Sequence, residues 1–373
     1  MSNAPTLFTF FSGAGFLDLG FEDSGYKVSF VNEYHKPFMD TYIHSRRALQ
    51  HPEPEFGYHL EDISVFTEEP NKDELSKMVR ACRARNELIG FIGGPPCPDF
   101  SVGGKNRGSE GENGKLTATY VTLICQQQPD FFVFENVKGL WRTKKHREFF
   151  EEMKAMLREH GYSTTERLID AMEYGVPQQR ERIILIGFKN ETLKNMNIPV
   201  ENGTSLDDVF PWLNRIKYTK EQLQSIPFPT QDPFQEDGTL GKPVGVPDEL
   251  TVEYWFEKND VYQHPNANLY FQPRAGLAKF LVIPEGDDSK KSYKRLHRWR
   301  YSPTAAYGNN EVHLHPYKAR RLSVSEALAI QSLPKAYTLP PDITLSNAFK
   351  TVGNGVPYLA SRGIAETILD FLQ

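Results

Sequence analysis

The feature that most constrains this chain is a rhythm in its first 190 residues, where short apolar runs alternate with longer amphipathic stretches. Thr6 to Phe11 is an apolar run that ends at Ser12-Gly13-Ala14-Gly15, and a helix-like stretch follows with Leu17, Phe21 and Ser24 on one side. Lys27 to Asn32 reads as the next strand and stops at Glu33. Ile89 to Ile92, Phe131 to Phe134 and Ile183 to Phe188 are further strand candidates, separated by helical stretches such as Glu148 to His160. This alternation predicts an α/β fold, a doubly wound and mostly parallel sheet with helices on both faces.

From about 200 to 318 the rhythm is lost. Proline becomes frequent (Pro227, Pro229, Pro233, Pro243, Pro247), which predicts a second, smaller domain of irregular and β character. Helical order returns at Ser323-Val324-Ser325-Glu326, a capping-box pattern that opens a helix running to Ser332. A final helix is expected over about Pro357 to Leu372, packed back onto the sheet. The expected division is a catalytic and cofactor-binding domain over 1–195, completed by 345–373, with 196–344 as the small domain.

Bulk properties narrow the class. No apolar run reaches the ~18 residues a membrane-spanning helix needs, and Met1 to Thr6 has neither the charged head nor the apolar body of a signal peptide. The three cysteines, Cys82, Cys97 and Cys125, lack metal-ligand spacing and read as free thiols in a reducing cytosol. A cytoplasmic protein without metal or membrane partner is expected, nucleoid-associated if the source is bacterial. The net charge of −5 argues against a nucleic-acid partner, but its distribution does not. Residues 201–260 carry 12 acidic and 5 basic side chains, whereas 289–321 carry nine Lys or Arg and one acid, Glu311. Phosphate binding needs a local basic stripe rather than a basic average; a solvated charged face is the other reading.

Several segments carry chemistry. The glycine turn after the first strand lets a ligand approach the backbone at a strand's carboxyl end, though its spacing is not the dinucleotide fingerprint. Glu33 at the end of the second strand could accept both hydroxyls of a ribose, and Asp62 could accept from an adenine amino group. Gly93-Gly94-Pro95-Pro96-Cys97-Pro98-Asp99-Phe100-Ser101 fixes a thiol in a rigid turn at a strand's carboxyl end, where a reactive thiolate is better placed than a packing cysteine. The glycine-rich stretch beyond it, Gly103 to Gly114, is either a passive loop or a lid. Phe131-Phe132-Val133-Phe134-Glu135-Asn136-Val137 sets a carboxylate at the end of an apolar strand, where burial favours the protonated form a general acid requires. Gln178, Arg180 and Arg182 fall on one face at strand period two and suit anion or carbonyl recognition.

In this order, the Pro-Pro-Cys turn, the Glu-Asn-Val tripeptide and the Gln-x-Arg-x-Arg segment resemble the cytosine-5 DNA methyltransferase family, especially its bacterial modification enzymes. The resemblance runs from Thr6 to Phe188 and resumes from about Trp299 to the C-terminus. It implies a Rossmann-like, S-adenosylmethionine-dependent catalytic domain with a target-recognition region at about 214–318. It also implies methyl transfer to carbon 5 of a flipped-out cytosine in a short duplex sequence, through a covalent Cys97 adduct. Glu135 would contact the cytosine ring nitrogen and exocyclic amine, Arg180 would orient the base carbonyl, and Arg182 and Asn136 would support them. The implied cofactor contacts are Phe11, Gly13, Gly15, Glu33, Tyr34, Asp62, Ile63, Pro96, Leu116, Asn354 and Val356. Candidates for DNA contact are Ser101, Lys105 and Arg107 in the lid, and Arg295, Arg298, Arg300, Asn309 and Asn310 at the end of the recognition region. Lys290, Lys291 and Lys294 are expected to hold phosphates. Double-stranded DNA is the expected partner, the chain is expected to act as a monomer, and a companion restriction endonuclease would act independently.

Two positions depart from the family pattern. Pro98 stands where Gln often follows the nucleophile, which bears on local loop shape. Phe16 stands where a further Gly is frequent, which bears on packing around the methionine moiety. A tRNA-modifying relative on the same fold would carry a Cys-Phe-Thr signature that is missing here, and the region before Ser323 is large and basic. A catalytically silent DNA-binding regulator has no use for Cys97, Glu135 and Arg180 together.

Overall fold

The computed structural model describes residues 4–96, 112–198, 205–273, 277–290, 292–304, 307 and 313–372. In the first half, strands and helices alternate as β1 (Thr6–Phe10), α1 (Phe16–Glu22), β2 (Lys27–Asn32), α2 (Lys36–Ala48), β3 (Tyr58–His59), α3 (Asn71–Ala84), β4 (Ile89–Gly93), α4 (Glu112–Gln127) and β5 (Phe131–Val137). Two helices, α5 (Lys138–Arg142) and α6 (Lys144–Glu159), then lead to β6 (Tyr162–Asp170), β7 (Glu181–Lys189) and α7 (Asn190–Asn195). The sheet order is β3-β2-β1-β4-β5-β7-β6. The β1, β2, β3, β4 and β5 pairings are parallel, whereas β7 runs antiparallel to both β5 and β6. The chain order reverses between β1 and β4, and the carboxyl ends of strands flanking such a switch point form the natural ligand crevice of an open α/β sheet.

Both faces of the sheet are buried, so strand period two divides the apolar residues between two cores. Leu7, Val31, Phe131, Val133, Ile184 and Ile186 face α1, α2 and α13 (Tyr358–Leu372). Phe8, Phe10, Phe30, Phe91, Phe132, Phe134, Ile183 and Leu185 face α3, α4 and α6. The phenylalanines are accommodated by glycine on neighbouring strands. Gly90 lies opposite Phe131 and Gly187 opposite Phe132, and a Cβ at either glycine would fall 2.1 Å from the facing ring.

Beyond β7 the chain forms only short elements: α8 (Lys220–Ser225), α9 (Val252–Lys258), α10 (Leu277–Phe280) and the paired dipeptides β8 (Lys294–Arg295) and β9 (His313–Leu314). Side chains from the stretch 196–344 join more than one apolar cluster. Leu206, Phe210 and Trp212 join the core of the sheet. Helix α11 (Val324–Ile330) with Leu333 and Tyr337 packs on Phe16 and Leu19 of α1, together with α12 (Leu345–Asn354). Val252, Trp255, Phe256 and Leu296 pack against Ala329 and Ile330 of α11, which fastens the irregular region to that helix. The capping box at Ser323 forms as expected: Glu326 N–H donates to Ser323 Oγ, and Ser323 N–H donates to the Glu326 carboxylate at 2.8 Å. No helix among the described residues is long and apolar enough to cross a membrane.

Candidate active site

The site is built on the carboxyl edge of β4 and β5. Gly93 pairs with Phe134, so the chain leaving β4 passes beside Glu135. A Cβ at Gly94 would come within 2.6 Å of Glu135 Oε2, so a larger residue there would force the carboxylate to shift. Asn136 Nδ2 reaches back to Pro95 O at 3.4 Å, tying the end of β5 to the turn that leads toward Cys97. Cys97 itself, with Ser101, Lys105 and Arg107, lies outside the described residues, as do Asn309, Asn310, Lys291 and Pro98. The remaining cysteines are poor nucleophiles: burial pushes the Cys82 and Cys125 thiols up to about 11.

Glu135 pairs across the ladder with Ile184, which puts Arg182, two residues earlier, on the same face and on the diagonal. Arg182 Nε lies 2.9 Å from Glu135 Oε1. Burial raises the Glu135 carboxyl above its ordinary range, against the opposing charges of Arg182 and Arg180. Lys138 is ion-paired with Glu181 at the same rim.

Arg180 is buried, and it lies two residues before Arg182, just ahead of β7. Burial and the neighbouring Arg182 charge both disfavour its cation, and Glu135 counters them only in part. Its Nη2 donates to Gly353 O at 2.8 Å, while its own backbone N–H donates to Asp170 Oδ1 at 3.2 Å. Asp170 accepts also from Met172 N–H, and burial pushes its carboxyl up to about 6. Asp170 is thus a positioning residue that the sequence reading missed, because ten residues separate it from Arg180 and only the β6–β7 turn brings them together.

The second part of the site lies at the ends of β1 and β2. Phe11, Gly13 and Gly15 all have positive φ (51°, 57° and 77°), so the turn is left-handed at three points. Glu33, buried at the end of β2, accepts from Gly13 N–H at 2.8 Å and from His35 N–H at 2.7 Å, and burial raises its carboxyl. With the Tyr34 N–H also bonded to it, the carboxylate keeps about one of its four lone-pair sites for a ligand. Tyr34 beside it is 71% exposed, a large aromatic face left open to solvent. Asp62 caps the turn Ile63–Thr67 through Ser64 N–H at 2.9 Å, with Ile63 buried. Asn32 Nδ2 donates to His59 O and Glu61 O, drawing that segment toward the end of β2. This edge offers what a nucleoside needs: a buried carboxylate for a ribose, an open aromatic for a base, and a glycine turn for close approach. Pro96 is exposed, Leu116 half-buried against the α4 side of the sheet, Asn354 exposed at the end of α12, and Val356 buried. Phe16 is seated on Gly355, where a Cβ would fall 2.0 Å from its ring, and edge-on against Tyr337. The bulkier residue at 16 is therefore matched by glycine at 355.

Beneath the glycine turn is a network the sequence reading did not find. Arg46 Nη2 donates to Gly15 O at 2.6 Å, Arg46 Nε bonds Glu22 at 2.6 Å, and Tyr337 Oη donates to Ala14 O at 2.6 Å. Tyr42 Oη donates to Asp18, whose carboxyl burial pushes up to about 6. The available signal was Asp18 itself, a carboxylate among Phe16, Leu17 and Leu19.

Two expected DNA contacts are corrected. Arg295 is fully buried, and its guanidinium donates to the carbonyls of Phe280, Ile283, His315 and Lys318. Arg298 is buried in a bidentate ion pair with Glu285, at 2.8 and 2.9 Å. Both are buried and committed to holding the irregular region together, which takes them away from a base edge. Arg300 is partly exposed and pairs with Asp288 at 3.1 Å. Among the described residues no group of His, Cys, Asp and Glu is placed to hold a metal ion.

Known proteins share both the sequence pattern and the fold. The chain is 54% identical over 367 residues to the Type II methyltransferase M.NmeDI of Neisseria meningitidis serogroup C, covering 98% of this chain and 84% of that protein. It is 28% identical to the Type II methyltransferase M.FnuDI of Fusobacterium nucleatum, covering 98% and 95%. The fold is shared with the Dnmt2 methyltransferase of S. pombe (TM-score 0.58, 11% identity, 98% and 99% covered). It is shared also with the methyltransferase EhMeth of Entamoeba histolytica (TM-score 0.59, 13% identity, 99% of each chain). The family model described as C-5 cytosine-specific DNA methylase matches residues 6–370, and on that span the chain belongs to this family.

Proposed function

We propose that this protein transfers a methyl group to carbon 5 of a cytosine within a specific short duplex sequence, as the modification enzyme of a restriction-modification pair. The observation that carries the reading is the meeting of Glu135, Arg182 and Arg180 at the rim of β5 and β7, beside the turn that leads to Cys97. Carbon 5 of cytosine is a weak nucleophile. Addition of the Cys97 thiolate at carbon 6, with a proton from Glu135 to ring nitrogen 3, gives a neutral enamine whose carbon 5 is nucleophilic. S-adenosylmethionine, when bound, supplies the electrophilic methyl group. Once carbon 5 is methylated, its proton passes to water, β-elimination frees Cys97 as a thiolate, and the nitrogen proton returns to Glu135. Arg180 steers the base carbonyl. Arg182 keeps Glu135 aimed at the ring nitrogen. A stacked base shields its faces from such attack, so the cytosine must leave the duplex. Glu33, Tyr34, Asp62 and the Gly13–Gly15 turn fit the adenosine portion of the cofactor.

The direct test is bisulfite sequencing of genomic DNA from a host expressing the protein. Protected cytosines confined to one short motif are expected. Full conversion at every site would overturn the reading, and protected cytosines in tRNA instead would favour the RNA-modifying alternative.

A further inference from the structure

The duplex proposed as substrate demands cations along its backbone, and the irregular region offers fewer than its composition suggests. Arg295 and Arg298 are internal, while Arg300, Lys318 and Arg320 are paired with Asp288, Asp237 and Glu326. A second basic group lies on the catalytic body. From Lys138 to Arg147 the chain carries Lys138, Arg142, Lys144, Lys145 and Arg147 and no acid. This stretch is α5 and the first turn of α6. It begins directly after Val137, which pairs with Arg182 at the rim of the site.

Arg142, Lys144 and Arg147 are exposed and make no ion pair among the described residues. Glu148 and Glu151 stand four residues beyond Lys144 and Arg147, yet Glu151 bonds Lys154 at 3.0 Å instead. A cation N-terminal to an acid at this spacing is also the weaker helical order. Arg147 lies over the Trp141 ring at 4.7 Å, which holds the guanidinium at the surface. The first turn of α6 contains no acid, and Thr143 gives it no side-chain cap. A helix dipole favours acids at this end and is opposed by cations there. Lys144 and Arg147 therefore do not serve the helix that carries them, whereas Arg142 sits in the last turn of α5, where a cation suits the helix end.

We infer that Arg142, Lys144 and Arg147 form a phosphate-binding face for the strand that carries the target cytosine. The inference rests on the duplex-DNA reading above. A cytosine seated at Glu135 stays tied to its own strand, whose phosphates advance about 3.4 Å of helix axis per nucleotide. The five-residue helix α5 spans about 7.5 Å, so a few nucleotides bridge the base pocket and this face. Such contacts fix register and carry no sequence information.

The test is equilibrium binding by the full chain carrying Arg142→Gln, Lys144→Gln and Arg147→Gln together. Binding is measured over a salt series, with a duplex containing the methylated motif and with an unrelated duplex. The plot of log affinity against log salt should become shallower by about 2 to 3, near 0.9 per phosphate contact. Both duplexes should lose affinity by a similar factor, about tenfold or more at 0.1 M salt. An unchanged slope and affinity, or a loss confined to the motif duplex, overturns the inference. The melting temperature of the triple variant guards against misfolding, since the three exposed side chains make no ion pair among the described residues and their loss should leave it nearly unchanged. An unchanged melting temperature with wild-type DNA affinity also overturns the inference. Failure of the methylation reading would appear separately, as a chain that keeps these salt slopes and leaves every cytosine unmodified.

Discussion

Glu135 must be protonated to serve as an acid, yet it lies against a cationic partner that favours its ionised form. Burial is the larger effect and raises its carboxyl. The acid form is populated below the raised value and is lost as pH climbs through it, so turnover should decline on the alkaline side. Glu135→Gln should lower kcat by about 10²- to 10⁴-fold and remove that decline, with cofactor affinity unchanged. Steady-state rates across pH, alongside calorimetric titration of S-adenosylmethionine, check both parts; a variant at wild-type rate would remove Glu135 from the chemistry. At this scale the sequence was readable where role follows from local context. Glu135 closes an apolar strand, and Glu33 closes another. It was unreadable where role depends on distant partners. Nothing near Arg295 in the sequence marks the four carbonyls that absorb its donors, and nothing near Arg180 marks Asp170 or Gly353.

Among the elements, the apolar strands were legible and the polar edge strand was not. Strand β6 reads Tyr-Ser-Thr-Thr-Glu-Arg at its start, without the continuous apolar run of β4 or β5. Its hydroxyls are nevertheless buried and bonded: Thr165 Oγ1 donates to Asp207 and accepts from Trp212 Nε1 at 2.8 Å. An edge strand satisfied by side chains from beyond α7 has no periodic signature of its own. The central strands depend on close cross-strand fit instead. Gly187→Ala would push a methyl toward the Phe132 ring, where no space exists. Overpacking of this kind costs about 1–3 kcal/mol, which urea denaturation should register as a lower midpoint with an unchanged slope. An unchanged midpoint would mean that Phe132 can move aside at no cost.

For the whole molecule, the apolar rhythm of the first half was enough to predict a doubly wound sheet, because burial on both faces leaves a strong pattern. The antiparallel placement of β7 was not foreseen. The irregular region left no comparable pattern. It is held by buried ion pairs such as Arg298–Glu285, by Arg295 among carbonyls, and by anchoring of Trp255 and Phe256 on α11, none of which has a period. The functional proposal converges on one atom, the sulfur of Cys97. A duplex carrying 5-fluorocytosine at the target position should trap the enzyme, because fluorine at carbon 5 cannot leave as the proton does. The decisive measurement is denaturing electrophoresis of that reaction, followed by peptide mass spectrometry. A cofactor-dependent covalent complex is predicted, with the nucleotide on the peptide containing Cys97 and no complex for Cys97→Ser. A complex that persists in Cys97→Ser, or one attached through Cys82 or Cys125, would contradict the proposed mechanism.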